Sequence, residues 1–217
     1  MGNKDLPPPK KTLILLAWMA PLIIIFFIYL NYNQRYVGAS DWYGYYSEAL
    51  LFKEGRISME TELSPSKFPA IAPIGYFVRG DKVLPTYPPG YPLLMALAGY
   101  ANLEFYVNPV FGIISIVLMF LIIKDITNKQ TAAFFSILWA FFPIVVYGST
   151  SLMSDLVATL FLLLCWYLYK QKKPGLSGLV FGFSLSVRPT NLLFGLIFIP
   201  FIIKQKKDFY RFGGLFS

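Results

Sequence analysis

Residues 105–123 have the sequence FYVNPVFGIISIVLMFLII, nineteen consecutive positions without a charged side chain. A helix of this length crosses the roughly 30 Å hydrocarbon layer of a bilayer. Similar apolar runs occupy residues 12–30, 131–153, 156–169, 175–187 and 191–203. Because lipid offers no partners to backbone N–H and C=O groups, each run is expected to be helical. The pattern predicts an all-α, polytopic membrane bundle of about six spans.

Composition supports the same class of protein. Of the 217 residues, 56% are hydrophobic and only 14% are charged, which is more apolar surface than one soluble core could bury. A cleaved secretory signal is the alternative for the first run, but the run is long and no small-residue cleavage site follows it. Cys165 is the lone cysteine and histidine is absent, which excludes an intrachain disulfide and a Cys/His metal site.

The basic residues predict the orientation. If the N-terminus is cytoplasmic and the six runs alternate, the cytoplasmic side receives 12 basic and 3 acidic residues and the outer side 7 and 8. Basic residues flank the cytoplasmic ends of spans, so the net charge of +8 is a topology signal and not a nucleic-acid footprint. Residues 92–100 are apolar but too short to span, and are predicted to form a helix on the outer surface.

The predicted organisation follows from this topology. Residues 1–11 form a basic cytoplasmic stub, and residues 12–217 form the membrane domain, with an outer loop at about 31–104. The last two runs are short and meet at a polar junction, 186–190. The tail at 211–217 resembles the lead-in to a further span, so we expect the chain to be the front part of a longer bundle.

Two polar features lie in the outer loop. The first is DWYGYYSEAL, residues 41–50, in which Asp41, Tyr45 and Ala49 are spaced four apart and share one helix face. Two structural alternatives stay open: Asp41 as a helix N-cap, and Trp42 with the tyrosines as an aromatic belt at the headgroup level. The second is YPPGYPLL, residues 87–94, whose prolines and glycine predict a rigid, non-helical turn before the surface helix.

A third feature is a pair of charges at membrane depth. Asp155 begins one span on the outer side, and Arg188 lies at the junction of the two short helices. Such charges are expensive and usually mark a site or an ion pair. A purely structural pair and snorkelling to the interface are the alternatives. The topology brings Asp41, Asp155 and Arg188 to the same face, which favours a functional site.

Together these motifs resemble the polytopic GT-C glycosyltransferases, in the branch of protein O-mannosyltransferases and aminoarabinose and related lipid-sugar transferases. The resemblance covers about residues 13–203. The matching positions are Asp41, Tyr45 and Ala49; Pro88, Pro89, Gly90, Tyr91 and Pro92; Ser154 and Asp155; and Arg188 with Pro189. The chain departs from many members in two places: Trp42 replaces a second acid, and Tyr87 replaces a lysine or histidine.

The resemblance implies an inverting glycosyltransferase in the plasma membrane, moving a hexosyl or pentosyl group from a polyprenyl-phosphate-type donor to a glycan, lipid or protein acceptor outside. Asp41 is the implied general base. The implied donor- and substrate-binding residues are Arg188, Asp155, Tyr45, Tyr87, Arg79 and Lys82. A divalent cation is the one cofactor left open, with Asp41 and Asp155 as its candidate ligands. The alternative is a noncatalytic or truncated membrane protein, such as a lipid-binding or scaffold subunit or a lipid translocator.

Overall fold

A computed structural model gives the fold, describing residues 8–59, 75–80 and 82–197, with side chains from residue 20 onward. The helices are α1 (Pro8–Asn31), α2 (Ser40–Lys53), α3 (Gly90–Gly99), α4 (Val107–Lys124), α5 (Lys129–Ala140), α6 (Pro143–Thr150), α7 (Ser154–Lys170) and α8 (Pro174–Val187). Two 3₁₀ turns, Glu104–Tyr106 and Pro189–Asn191, precede α4 and follow α8, and residues 192–197 are helical again. The chain is therefore mostly helical, as predicted.

The six predicted spans are not confirmed. Within the described residues one helical stretch, Glu104–Lys124, is long and apolar enough to cross a membrane by itself. The predicted span at 131–153 is two helices, α5 and α6, bent by 59°. The break falls at Phe142, which is extended because the ring of Pro143 disfavours a helical conformation in the residue before it. The predicted run at 12–30 lies within α1, whose side chains are described from residue 20 onward. The run at 191–203 is described only to residue 197, and the tail at 211–217 lies outside the described residues.

Large apolar side chains cover the outside of the helices. Exposed examples occur on α1, α4, α5, α6 and α8 and at residues 192–197. A water-soluble protein rarely exposes so much contiguous apolar surface, whereas lipid solvates it at no cost. This surface agrees with a membrane-embedded bundle.

Asn108 lies within the apolar run that decides the fold, and it is buried there. Its amide nitrogen lies 2.8 Å, 2.6 Å and 2.8 Å from the carbonyl oxygens of Gly148, Ser151 and Met153. These carbonyls belong to the end of α6 and the break before α7, where the backbone has lost its helical partners. Asn108 therefore holds the start of α7, and with it Asp155, in place from α4.

The all-α prediction is wrong in the outer loop. Residues 76–79 and 82–85 form an antiparallel hairpin, β1 (Tyr76–Arg79) and β2 (Lys82–Pro85), with Arg79 opposite Lys82. Gly80 supplies the positive φ of +63° that the tight turn needs. Tyr76 and Val83 are buried together with Leu51 of α2. The hairpin thus forms because one face of a short alternating segment is covered by α2.

Residues predicted as a surface helix form α3, ten residues long and too short to span. One face is buried, with Tyr91 and Met95 fully enclosed in the largest apolar cluster. Gly90 begins the helix directly against the end of α8: a Cβ added there would lie 2.6 Å from the carbonyl carbon of Ser186 and 2.7 Å from the amide nitrogen of Val187. This close approach places the YPPGY turn beside Arg188.

Gly90→Ala is expected to destabilise the protein by about 1–3 kcal/mol, because the added methyl group must push two backbone segments apart. Gly99→Ala is the matched control on the same helix, since a Cβ there meets its neighbours at an ordinary 3.6 Å or more. The thermal midpoint in detergent measures the difference. Equal midpoints for the two variants would contradict the close packing of α3 on α8.

Candidate active site

Asp41 lies in the first turn of α2 and is not its N-cap, so the capping interpretation is wrong. The N-cap is Ala39, whose side chain makes no capping hydrogen bond. The Asp41 carboxylate is exposed, near the positive end of the helix dipole. Its Oδ1 atom accepts a hydrogen bond of 2.6 Å from the hydroxyl of Tyr87. The sequence motif at 41–50 and the turn at 87–94 therefore meet at this carboxylate.

Two glycines bring Tyr87 to Asp41. A side chain at Gly44 of α2, or at Gly75 before β1, would collide with the Tyr87 ring. Gly75 also has a φ of +84°, which favours glycine. Burial, followed by the hydrogen bond and charge of Asp41, raises the pKa of Tyr87 to about 12. Tyr87 therefore stays protonated and remains a hydrogen-bond donor to Asp41 at physiological pH.

Tyr45 lies in the core, next to Tyr87. Its hydroxyl is 2.9 Å from Oγ of Ser154, and its ring centroid is 4.6 Å from that of Tyr87 and 5.1 Å from that of Tyr91. Trp42 is buried in the same cluster. The aromatic-belt interpretation is therefore wrong for Trp42 and Tyr45, which point into the protein.

Arg188 and Asp155 form an ion pair between the guanidinium Nη1 and the carboxylate Oδ1. Arg188 has extended backbone between α8 and the following 3₁₀ turn, which leaves its side chain free to reach the first turn of α7. The two side chains are 40% and 42% exposed, so the pair contributes little to stability. The ion pair that was the structural alternative for these two residues is therefore present, and both side chains remain partly exposed.

The charges converge around Tyr45. Burial raises the pKa of the Tyr45 hydroxyl, the Ser154 hydrogen bond and the charge of Arg188 lower it, and the charges of Asp41 and Asp155 raise it. The contacts give the same relation: the Tyr45 hydroxyl is 2.9 Å from Oγ of Ser154, the residue before Asp155, and the Tyr45 ring packs on Tyr87, which donates a hydrogen bond to Asp41. This convergence is the main geometric feature of the site.

A groove of about 610 Å³ opens beside the Asp155–Arg188 pair. Its lining is otherwise mostly apolar and comes from α6, α7 and the stretch after α8. The lining residues are Ile144, Asp155, Ala158, Thr159, Leu162, Leu163, Trp166, Arg188, Thr190, Asn191, Phe194 and Ile197. A charged pair on an apolar groove is suited to an amphiphile with an anionic head and a hydrocarbon tail.

Arg79 and Lys82 lie at the exposed turn of the hairpin. In the part of the chain that the structure describes, no hydrogen bond or ion pair joins either of them to Asp41, Asp155 or Arg188. The described part of the chain also contains no group of three or more His, Cys, Asp or Glu side chains that could hold a metal ion. Asp41 and Asp155 are instead engaged by different partners, Tyr87 and Arg188.

Glu48 is a residue near the site that sequence reasoning missed. It follows Asp41 and Tyr45 at helical spacing on α2, and this spacing was the available signal. The side chain is 3% exposed, and its Oε2 atom is buried without a hydrogen-bond partner. Burial raises the pKa of Glu48 to about 7. The outer loop therefore contains a carboxyl that takes up a proton near neutral pH.

The raised pKa predicts a pH-dependent stability. Below pH 4.5 Glu48 is protonated in both the folded and unfolded states, and between pH 4.5 and about 7 only the unfolded state ionises freely. Stability should therefore fall across this window as the pH rises, by up to about 3 kcal/mol. Glu48→Gln should abolish the fall, whereas Glu54→Gln, at an exposed site, should keep it. Parallel midpoint-against-pH curves for Glu48→Gln and wild type would contradict the assignment.

A family model described as dolichyl-phosphate-mannose-protein mannosyltransferase matches residues 92–211, more than half of the chain. The chain belongs to this family. The resemblance to GT-C glycosyltransferases is thereby confirmed, and the chain falls in a class of membrane glycosyltransferases that use a lipid-linked sugar donor. The matched part contains Asp155 and Arg188, while Asp41, Tyr45 and Tyr87 precede it. No curated protein and no solved structure matches the chain.

Proposed function

We propose that this mannosyltransferase-family chain transfers a sugar from a polyprenyl-phosphate donor to an acceptor hydroxyl on the non-cytoplasmic face of the plasma membrane, with inversion. The observation that carries the proposal is a set of contacts made by Tyr45: its hydroxyl bonds Ser154, next to the Asp155–Arg188 ion pair, and its ring packs on Tyr87, the hydrogen-bond donor to Asp41. A carboxylate and a guanidinium are the two groups that a direct displacement at a sugar phosphate requires. The distribution of basic residues supports the assignment of the outer face.

We place the donor in the groove with its phosphate at the ion pair and its hydrocarbon chain along the apolar lining. Its phosphate would bind Arg188, whose guanidinium presents several donors to phosphate oxygens, and its prenyl chain would lie along Leu162, Leu163 and Phe194. Asp155 would orient the guanidinium through the ion pair. The exposure of the pair leaves room for the phosphate to share Arg188 with Asp155.

The reaction then needs one base. As the acceptor oxygen attacks the anomeric carbon, its proton passes to Asp41, and the bond between the anomeric carbon and the phosphate oxygen breaks with its electrons going to phosphate. Tyr87 holds Oδ1 of Asp41, and we assign Oδ2 as the proton acceptor. Arg188 stabilises the negative charge that grows on the leaving phosphate.

The test is a transfer assay on the purified protein in lipid vesicles, with a radiolabelled sugar. The family description makes mannose the first sugar to examine, and the other hexoses and pentoses follow. Transfer from the polyprenyl-phosphate sugar, and none from the matching nucleotide sugar, is expected. Transfer from the nucleotide sugar alone would contradict the proposal. Inactivity with every lipid-linked sugar tested would favour the noncatalytic alternative, a lipid-binding or scaffold subunit or a translocator.

A further inference from the structure

We propose that Tyr45 and Ser154 form a positioning pair, which sets the distance between the Asp41 carboxylate and the Asp155–Arg188 ion pair. The inference rests on the proposed function and deepens it. It assigns Tyr45, which resemblance places among the donor-binding residues, to a role that does not require contact with the donor.

Both members of the pair are removed from solvent. Tyr45 is 6% exposed and Ser154 is 1% exposed, and their hydroxyl oxygens are 2.9 Å apart. The Tyr45 hydroxyl is therefore already engaged, and its ring is enclosed by Tyr87 and Tyr91. A side chain in this environment has little surface to offer a sugar. The hydrogen bond of the Tyr45 hydroxyl does, however, hold α2 against Ser154 at the start of α7.

The positions of Tyr45 and Ser154 in the chain connect their hydrogen bond to the charged groups of the site. Tyr45 lies four residues after Asp41, on the same face of α2. Ser154 is the first residue of α7 and directly precedes Asp155. A shift of Tyr45 relative to Ser154 therefore moves Asp41 relative to the ion pair by a similar amount. A misplacement of about 1 Å between reacting groups can cost on the order of a hundredfold in rate.

A second link between the two parts of the site runs through the turn before α3, from Tyr87 on Asp41 to Gly90 against the end of α8. α2 packs mainly against α3. Among the described hydrogen bonds, that between Tyr45 and Ser154 is the one that joins α2 to α7. Tyr45 also supports Tyr87, whose hydroxyl holds Asp41. One buried phenol thus connects the base, its hydrogen-bond donor and the helix that carries Asp155.

The experiment compares Tyr45→Phe, Ser154→Ala and the double variant in the vesicle transfer assay. Tyr45→Phe keeps the ring contacts and removes only the hydroxyl. Each single variant is expected to lower kcat on the order of tenfold to a hundredfold with the donor KM little changed, because binding does not depend on the pair. The double variant should be no slower than the slower single variant, since both changes remove the same hydrogen bond.

Tyr29→Phe is the matched control. The Tyr29 hydroxyl is also buried, and donates a hydrogen bond of 2.8 Å to the Ala140 carbonyl oxygen, away from the site. The two Tyr→Phe variants should lower the thermal midpoint to a similar extent, but only Tyr45→Phe should lower kcat. Equal kcat losses in both, or kcat losses that multiply in the Tyr45/Ser154 double variant, would overturn the positioning role.

Failure of the proposed function gives a different result. If wild type and Asp41→Asn transfer sugar at the same rate, the base assignment fails, whatever happens at Tyr45. If wild type is active, Asp41→Asn is inactive and Tyr45→Phe keeps the wild-type kcat, the positioning inference alone is overturned.

Discussion

Asp41→Asn is expected to lower the rate of sugar transfer by roughly 10²–10⁴-fold, the usual contribution of a general base. The substitution preserves the shape of the side chain, and the amide oxygen can still accept the hydrogen bond of Tyr87. It removes only the ability to take a proton from the acceptor hydroxyl. The loss should therefore appear in kcat, with the thermal midpoint and the KM for the donor close to those of wild type.

The natural control for this variant is Asp125→Asn. Asp125 follows α4 on the predicted cytoplasmic side, where its carboxylate accepts a hydrogen bond of 3.3 Å from Gln171. The control removes one negative charge from the opposite end of the bundle and should leave transfer unchanged. Wild-type transfer rates in a normally folded Asp41→Asn protein would show that another group accepts the proton.

Arg188→Ala has the second largest expected effect, a loss of roughly 10²–10³-fold in transfer. The guanidinium is assigned to the phosphate both when the donor binds and when the bond breaks, so kcat and the affinity for the donor should both fall. Arg188→Lys should recover part of the rate, since it restores the charge without the planar fork of donors. Removal of the arginine should cost at most about 1 kcal/mol of stability, because its ion pair with Asp155 is substantially exposed.

Two further variants separate this role from a structural ion pair. Arg56→Ala breaks the exposed pair of Arg56 with Glu54 at the end of α2, and should keep full activity. Asp155→Asn breaks the site pair but leaves the guanidinium in place, and should lose much less activity than Arg188→Ala. Equal losses for Asp155→Asn and Arg188→Ala would mean that the pair itself matters, and not the binding of phosphate by Arg188.

The amphipathic patterns of the outer loop illustrate the limits of sequence reasoning. The spacing of Asp41 and Tyr45 predicted one helix face, and α2 confirms it. The same pattern could not distinguish a headgroup belt from a core, because burial depends on segments distant in the chain. Tyr45 is buried in a cluster that also contains Tyr91 and Val157, which lie far along the chain from it. The burial of Glu48 could not be predicted for the same reason. A glutamate on an outer loop is normally solvated, and Glu48 is buried only because other segments pack against α2.

By itself, the sequence predicted a helical membrane protein, since runs such as residues 105–123 are too long and too uniformly apolar for strands and a helix satisfies its own backbone in lipid. It also indicated Asp155 and Arg188 as candidates, because charges at membrane depth are costly enough to stand out, and Asp41 through its helical spacing with Tyr45 and Ala49. Tertiary structure alone decided the break of the 131–153 run, the hairpin under α2, and the hydrogen bonds from Tyr87 to Asp41 and between Tyr45 and Ser154. These features join residues far apart in the chain, and local pattern carries no information about such distances.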